Sequence, residues 1–206
     1  WPFILISKKR YTGDKYEFNT EDYKRTSMGI VLKRRDNAPI VKYVFGNVIE
    51  IIMIEKDLQK AIDWLRKTLH QIRNGEFSDS KYVITKSLRG YYKNPQQIAH
   101  KVLADRMALR DPGNKPKSND RIPYAYIVLS NDKLYDTKNP YKSGARKGQP
   151  RLKNILQGDR IEHIDFIRKN NLKLDYEFYI TNQIMNPVKQ VLDLVIPSDK
   201  TELIFK

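Results

Sequence analysis

The sequence predicts an α+β fold: short strands up to about residue 37, then a mainly helical remainder with a few more short strands. Two kinds of pattern lead there. Phe3-Ile4-Leu5-Ile6 and Met28 to Leu32 are brief apolar runs of strand length. Leu58, Ile62, Leu65, Leu69 and Ile72 instead recur at steps of three and four, which lays one apolar stripe along a helix that Asn74-Gly75 can close.

The other elements follow in chain order. Pro39 suits the first turn of a helix over Ile40 to Ile54, although the β-branched content of that run leaves a strand reading open. Lys81 to Leu88 and Ile122 to Leu129 read as extended. Between them Asn94-Pro95 resembles a cap with a first-turn proline, and Ile98, Val102, Leu103 and Met107 continue a helical face until Asp111-Pro112-Gly113 stops it. Ile161 to Asn170 and Tyr176 to Leu194 read as helical, with Pro187 kinking or dividing the second. Residues 130–157 keep no period and have the composition of a basic loop, either a disordered connector or a clamp on a polyanion.

Composition narrows the chemistry. A chain of 206 residues can form one compact domain or two small ones without staples. Zero cysteines exclude a disulfide framework, thiolate catalysis and cysteine-ligated metals, and His70, His100 and His163 show no metal-ligand spacing. A mean hydropathy of −0.66 without a long uncharged apolar run excludes a membrane-spanning helix and a membrane partner. The first residue is Trp1 with no secretory-type leader, so the chain is expected to be part of a longer protein.

Lys+Arg 39 against Asp+Glu 24 give a net charge of +15, which on a folded chain points to a polyanionic partner. The excess is local: +4 over residues 1–50, +6 over 81–120 and +5 over 130–160. Residues 51–80 and 161–206 are near neutral and read as scaffold. Lys8-Lys9-Arg10-Tyr11 follows the first strand, and Lys33-Arg34-Arg35-Asp36-Asn37 leaves the second in a similar way. Plainer readings stand beside these: a solvated strand end for the first cluster, and for the second an ion-paired turn, which is compatible with binding. Arg110-Asp111-Pro112-Gly113 is a helix stop before it is a contact, His100 and His163 read as surface or packing histidines, and Trp64 reads as core. Tyr176, Phe178 and Tyr179 read as helix packing rather than base stacking, because a duplex leaves few bases free to stack.

Ile4-Leu5-Ile6-Ser7-Lys8-Lys9-Arg10-Tyr11 resembles the Lys-Lys-x-Tyr motif of family B DNA polymerases, where palm approaches thumb. Further matches follow in that family's order: Met28-Gly29-Ile30 with Arg34 to Pro39, Tyr82 to Leu88, Asn94-Pro95, and His100 to Ala104. Arg106-Met107-x-x-Arg110-Asp111-Pro112-Gly113 and Asn119 to Tyr124 are similar to the thumb of delta-type polymerases. Gln157 to His163 and Asp175 to Ile184 look like the closing helices of the thumb in polymerases of large DNA viruses.

The resemblance implies terminal palm strands over 1–37 and a thumb over 38–206 that grips the primer–template duplex. The family's paired metal-binding aspartates, fingers motif and exonuclease carboxylates are absent from these residues, so the chain is expected to bind no cofactor itself. Mg²⁺ would serve carboxylates outside it. The remaining palm, fingers and exonuclease parts become partners, with a sliding clamp as a further candidate, at an intracellular site of DNA replication. A separately encoded polymerase subunit and a stand-alone duplex-binding module are the alternatives. Exposed apolar surface on the palm strands would disfavour the module.

By the same resemblance, Lys8, Lys9, Arg10 and Tyr11 sense the primer-terminal minor groove, and Arg34 and Arg35 extend that surface. The thumb candidates are Lys86, Asn94, His100, Lys101, Arg110, Asn114, Lys115, Arg121 and Tyr124, with Asp120 expected to orient Arg121 through a charge-assisted hydrogen bond.

Overall fold

A computed structural model of the chain describes residues 2–16, 23–34 and 36–205. It divides into two compact units, residues 1–84 with 176–206, and residues 85–175.

The first unit opens with an antiparallel sheet in the order β1 (Phe3–Ser7), β2 (Arg10–Tyr16), β3 (Tyr23–Met28). The expected strand over Met28 to Leu32 is corrected. Gly29 turns the chain at φ 62°, and Val31–Lys33 form a single 3-10 turn, so the strand ends where the apolar run begins. Helix α1 (Pro39–Glu50) then settles the open choice at Ile40 to Ile54 and continues as a π-helical turn over Ile51–Glu55. Ile40, Val41, Val44, Phe45 and Val48 bury one face of it. Helix α2 (Leu58–Arg73) starts on Asp57, whose carboxylate accepts from the Lys60 amide at 2.8 Å. It ends at Gly75, φ 69°, as the stripe requires.

The chain returns to this unit with α6 (Tyr176–Phe178), a π-helical stretch over Tyr179–Ile184, α7 (Met185–Leu192) and α8 (Ser198–Leu203). Pro187 is the third residue of α7 and follows directly on the π-helical stretch, the kind of irregularity that accompanies a proline in a helix. Tyr179 is fully buried, packs edge-on against Tyr82 with centroids 5.1 Å apart, and donates to the Tyr82 carbonyl at 2.6 Å. Trp64 is half-buried against the Tyr43 ring rather than in the core.

One ion cluster ties the sheet to α1. Asp14 is buried in β2, and Arg25 of β3 donates to it through Nε at 2.7 Å and Nη2 at 3.0 Å while Nη1 reaches Glu50 at the end of α1. Both carboxylates push the Arg25 pKa further above its ordinary value.

The second unit is built on β4 (Ile84–Ser87), β5 (Arg121–Tyr126) and β8 (Ile161–His163), in that order. Asn94-Pro95 opens only a 3-10 turn over Pro95–Gln97, and α3 (Ala99–Arg110) begins after it, a correction to the expected helix start. Ile161 to His163 join the sheet, so α5 (Ile164–Lys169) is shorter than its pattern suggests. Residues 130–157 contain helix α4 (Asn131–Leu134) and a hairpin of β6 (Tyr135–Asp136) with β7 (Arg151–Leu152).

Glu162 of β8 is buried beneath α3. Arg110 donates to its two oxygens at 3.0 and 2.9 Å, and Arg106 lies 3.8 Å away. Arg106 also donates to the Gly158 carbonyl at 2.7 Å and to that of Ile161 at 2.5 Å. Burial works to raise the Glu162 pKa, but the hydrogen bonds from Arg110 and the His163 amide, with both guanidinium charges, bring it below its ordinary value.

Two stability predictions follow from these clusters. Arg25→Ala strands a buried carboxylate and is expected to cost about 3–5 kcal/mol, read by denaturant unfolding; a loss below about 1 kcal/mol contradicts the clasp. Because Glu162 is held below the ordinary carboxylate range, its contribution is present above that range and lost as pH falls through the depressed value. Thermal unfolding of the chain should therefore lose midpoint in acid, and Glu162→Gln should flatten that loss. An unchanged pH profile in the variant counts against the assignment.

Candidate nucleic-acid interface

Ser7 pairs with Arg10, so Lys8 and Lys9 occupy the two-residue tip joining β1 to β2, and both are exposed. Lys9 adopts φ 63°, a backbone region in which asparagine or glycine is the usual occupant of such a turn. Lysine thus stands at 9 where the turn favours a residue without a long side chain, and with Lys8 beside it two ammonium groups sit at one end of the sheet. Tyr11 pairs with Met28, so the turn after β3 lies at that same end. A Cβ built on Gly29 would sit 2.3 Å from the Lys9 carbonyl oxygen, so glycine permits the approach of the two segments.

No carboxylate is paired with Lys8, Lys9 or Arg10 among the described residues. Arg10 Nη2 donates instead to Gln190 Oε1 of α7 at 2.5 Å. Tyr11 stacks on Phe3, with ring centroids 5.6 Å apart. Arg34 is exposed and forms a fork with Asp36 at 3.1 and 2.9 Å, the ion-paired turn read from sequence. Arg35 lies outside the described residues.

The candidates of the second unit separate by what they touch. Lys115 and Arg121 are exposed, and Lys86 is half-buried. Asn94 is exposed ahead of its 3-10 turn, and Asn114 bonds the Asp111 carboxylate at 2.8 Å. Lys101 pairs with Asp105 one helical turn on. Arg110 is engaged by Glu162 and lies 3.8 Å from the centre of the Phe166 ring, so its guanidinium is held by the fold. His100 is half-buried with Nε2 3.0 Å from the Tyr92 hydroxyl, and burial and nearby Lys86 lower its pKa, which favours the neutral ring. Two expectations are corrected. Tyr124 is only 2% exposed, a core residue of β5 that presents no surface to a duplex. Asp120 accepts from the Lys117 amide at 2.6 Å and orders that turn; no pairing with Arg121 occurs among the described residues.

Sequence reasoning missed the carboxamides on the last helical stretch. Asn182, Asn186 and Gln190 recur every four residues, a spacing that puts them on one face, and they line a cleft with Arg10 and Arg34. It also missed Glu162, although the i, i+4 spacing of Arg106 and Arg110 signals one basic helix face.

Among the described residues no group of three or more His, Cys, Asp or Glu side chains is arranged to hold a metal ion. No described helix is long and apolar enough to cross a membrane.

Comparison with known proteins places this geometry in a family. The model of DNA polymerase family B matches residues 1–195. The DNA polymerase of Pyramimonas orientalis virus is 50% identical over 196 residues, 95% of this chain and 15% of that protein. That of Acanthamoeba polyphaga mimivirus is 47% identical over 204 residues, 99% of this chain and 11% of its own length. The DNA polymerase delta catalytic subunit of Caenorhabditis elegans is 30% identical over 204 residues, 98% of this chain and 17% of that subunit. The chain thus spans 11% to 17% of the length of these relatives. The family B DNA polymerase of Pyrobaculum calidifontis shares the fold, with a TM-score of 0.62 at 16% identity over 94% of this chain and 21% of that one. With the family model matched over residues 1–195, this chain belongs to DNA polymerase family B.

Proposed function

We propose that the chain is the palm–thumb portion of a DNA-directed DNA polymerase that grips the primer–template duplex, with palm strands over residues 1–37 and thumb over 38–206. The carboxylates that hold Mg²⁺ for nucleotidyl transfer lie, in this reading, elsewhere in the polymerase. The observation that carries it is the Lys8-Lys9-Arg10 tip: three cations at a sheet end with no paired carboxylate among the described residues.

A polymerase must hold every sequence it copies, so its grip has to rest on features shared by all base pairs. Phosphates are one such feature, and each cation that neutralises one releases counterions without reading sequence. Purine N3 and pyrimidine O2 in the minor groove are another, acceptors that Lys and Arg can meet at every pair. Lys8, Lys9, Arg10 and Arg34 of the first unit serve these contacts, with Arg35 as their sequence neighbour. Lys86, Asn94, Lys101, Asn114, Lys115 and Arg121 serve them on the second unit. Arg110 and His100 hold the surface in shape.

The edge strand supports a longer polymerase over a stand-alone binding module. Phe3 is 57% and Leu5 56% exposed on β1, beside exposed Leu194 and Val195. An apolar sheet edge of this kind calls for a neighbour. In this reading the rest of the palm covers it, a sliding clamp acts through parts outside the chain, and the work is done at a site of DNA replication.

Lys9→Ala and Arg10→Ala are each expected to weaken binding of the 206-residue chain to duplex DNA equally for unrelated base sequences, and to lower the salt slope by about 1. Fluorescence anisotropy across a salt series reads both. Unchanged affinity at low salt would remove the tip from the interface, and nucleotide incorporation by this chain alone would place the chemistry within it.

A further inference from the structure

The cleft beside the hairpin tip has a lining that charge alone does not explain. Its volume is about 180 Å³. Arg10 and Arg34 supply two guanidiniums, and the helical stretch opposite supplies the neutral amides of Asn182, Asn186 and Gln190. Asn37 lines it too, with its Nδ2 turned into the protein and no acceptor for it among the described residues. Asp36 is held by the Arg34 fork. Asn182 donates to Thr181 Oγ1 at 2.9 Å, which leaves Asn186 as the amide of the stripe with no bond to another side chain among the described residues.

The geometry points to this cleft as a seat for a single backbone phosphate of bound duplex, in which Gln190 is a positioning residue for Arg10 and Asn186 is a neutral donor. The inference rests on the duplex-binding reading. Gln190 Oε1 takes one N–H of Arg10 at 2.5 Å and fixes the plane of the guanidinium, which leaves its other N–H groups for phosphate oxygens. A carboxylate at position 190 would hold Arg10 as well, but its charge would repel the phosphate. A carboxamide holds the arginine without opposing the ligand. Amide donors in turn add hydrogen bonds to phosphate oxygens while releasing no counterions.

That last point separates the roles experimentally. Duplex DNA of mixed sequence is the probe, and affinity is read against salt concentration for the 206-residue chain, with circular dichroism as the check on folding. Asn186→Leu should lower affinity about 3- to 10-fold at every salt concentration and leave the salt slope unchanged. Asn186→Asp, nearly isosteric, should lose more and lower the slope. Gln190→Leu should weaken binding in the wild-type background and have no further effect once Arg10→Ala is present, because a positioning residue acts only through the group it positions.

The inference is overturned if Asn186→Leu and Asn186→Asp bind like wild type, or if Gln190→Leu costs as much with Arg10→Ala as without it. Loss of binding in Arg10→Ala with both amide positions silent discards the cleft alone. A wild-type chain that binds no duplex discards the underlying reading.

Discussion

A three-stranded sheet cannot hold a charged hairpin tip in place by itself, and in this chain the fixing interaction is the Arg25 fork. Its guanidinium satisfies buried Asp14 in the neighbouring strand and reaches Glu50 at the end of α1. The sheet is thereby fastened to the helical core of its unit rather than only leaning on it. Everything at the sheet's other end depends on that anchorage: the Lys8-Lys9 turn, the close pass of Gly29 beneath Lys9, and the Arg10 bond to Gln190.

The positive charge that marks the sequence divides into two kinds. Arg25, Arg73, Arg106 and Arg110 are spent on the fold: Arg73 bonds Glu177 at 2.5 Å and the Phe205 carbonyl at 2.8 Å, and Arg106 and Arg110 close over Glu162. Lys8, Lys9 and Arg10 are joined to no acid among the described residues. Arginine takes the buried posts because its planar fork can satisfy a carboxylate and a carbonyl together, whereas lysine predominates where a solvated point charge is wanted. The count of 39 Lys and Arg therefore overstates the cations free to meet a partner, and the location of the unpaired ones is more informative than the total.

Helix α2 was legible because its apolar positions obey one period and Asn74-Gly75 closes it, whereas the β-branched run of α1 left a strand reading open. The strands were less legible. Met28 to Leu32 has strand composition, but a glycine at positive φ ends the ladder at its first residue, and no apolar count registers that. Ile161 to His163 carried a helical pattern yet joined a sheet, since the pairing of β5 with β8 is a tertiary contact that local periodicity does not encode. In the site, the basic tip was visible as a run of like charges. The Glu162 cluster and the Arg10–Gln190 bond join residues 52 and 180 positions apart, and only the fold brings them together.

The central claim is that the unpaired basic surface grips duplex DNA without reading its sequence. It is tested most directly by measuring the affinity of the 206-residue chain for several duplexes of unrelated sequence across a salt series. The account predicts superimposable lines of log affinity against log salt, falling with a slope near 0.9 per neutralised phosphate and corresponding to several contacts. An affinity indifferent to salt, or a preference of about 10³-fold for one sequence, would contradict it.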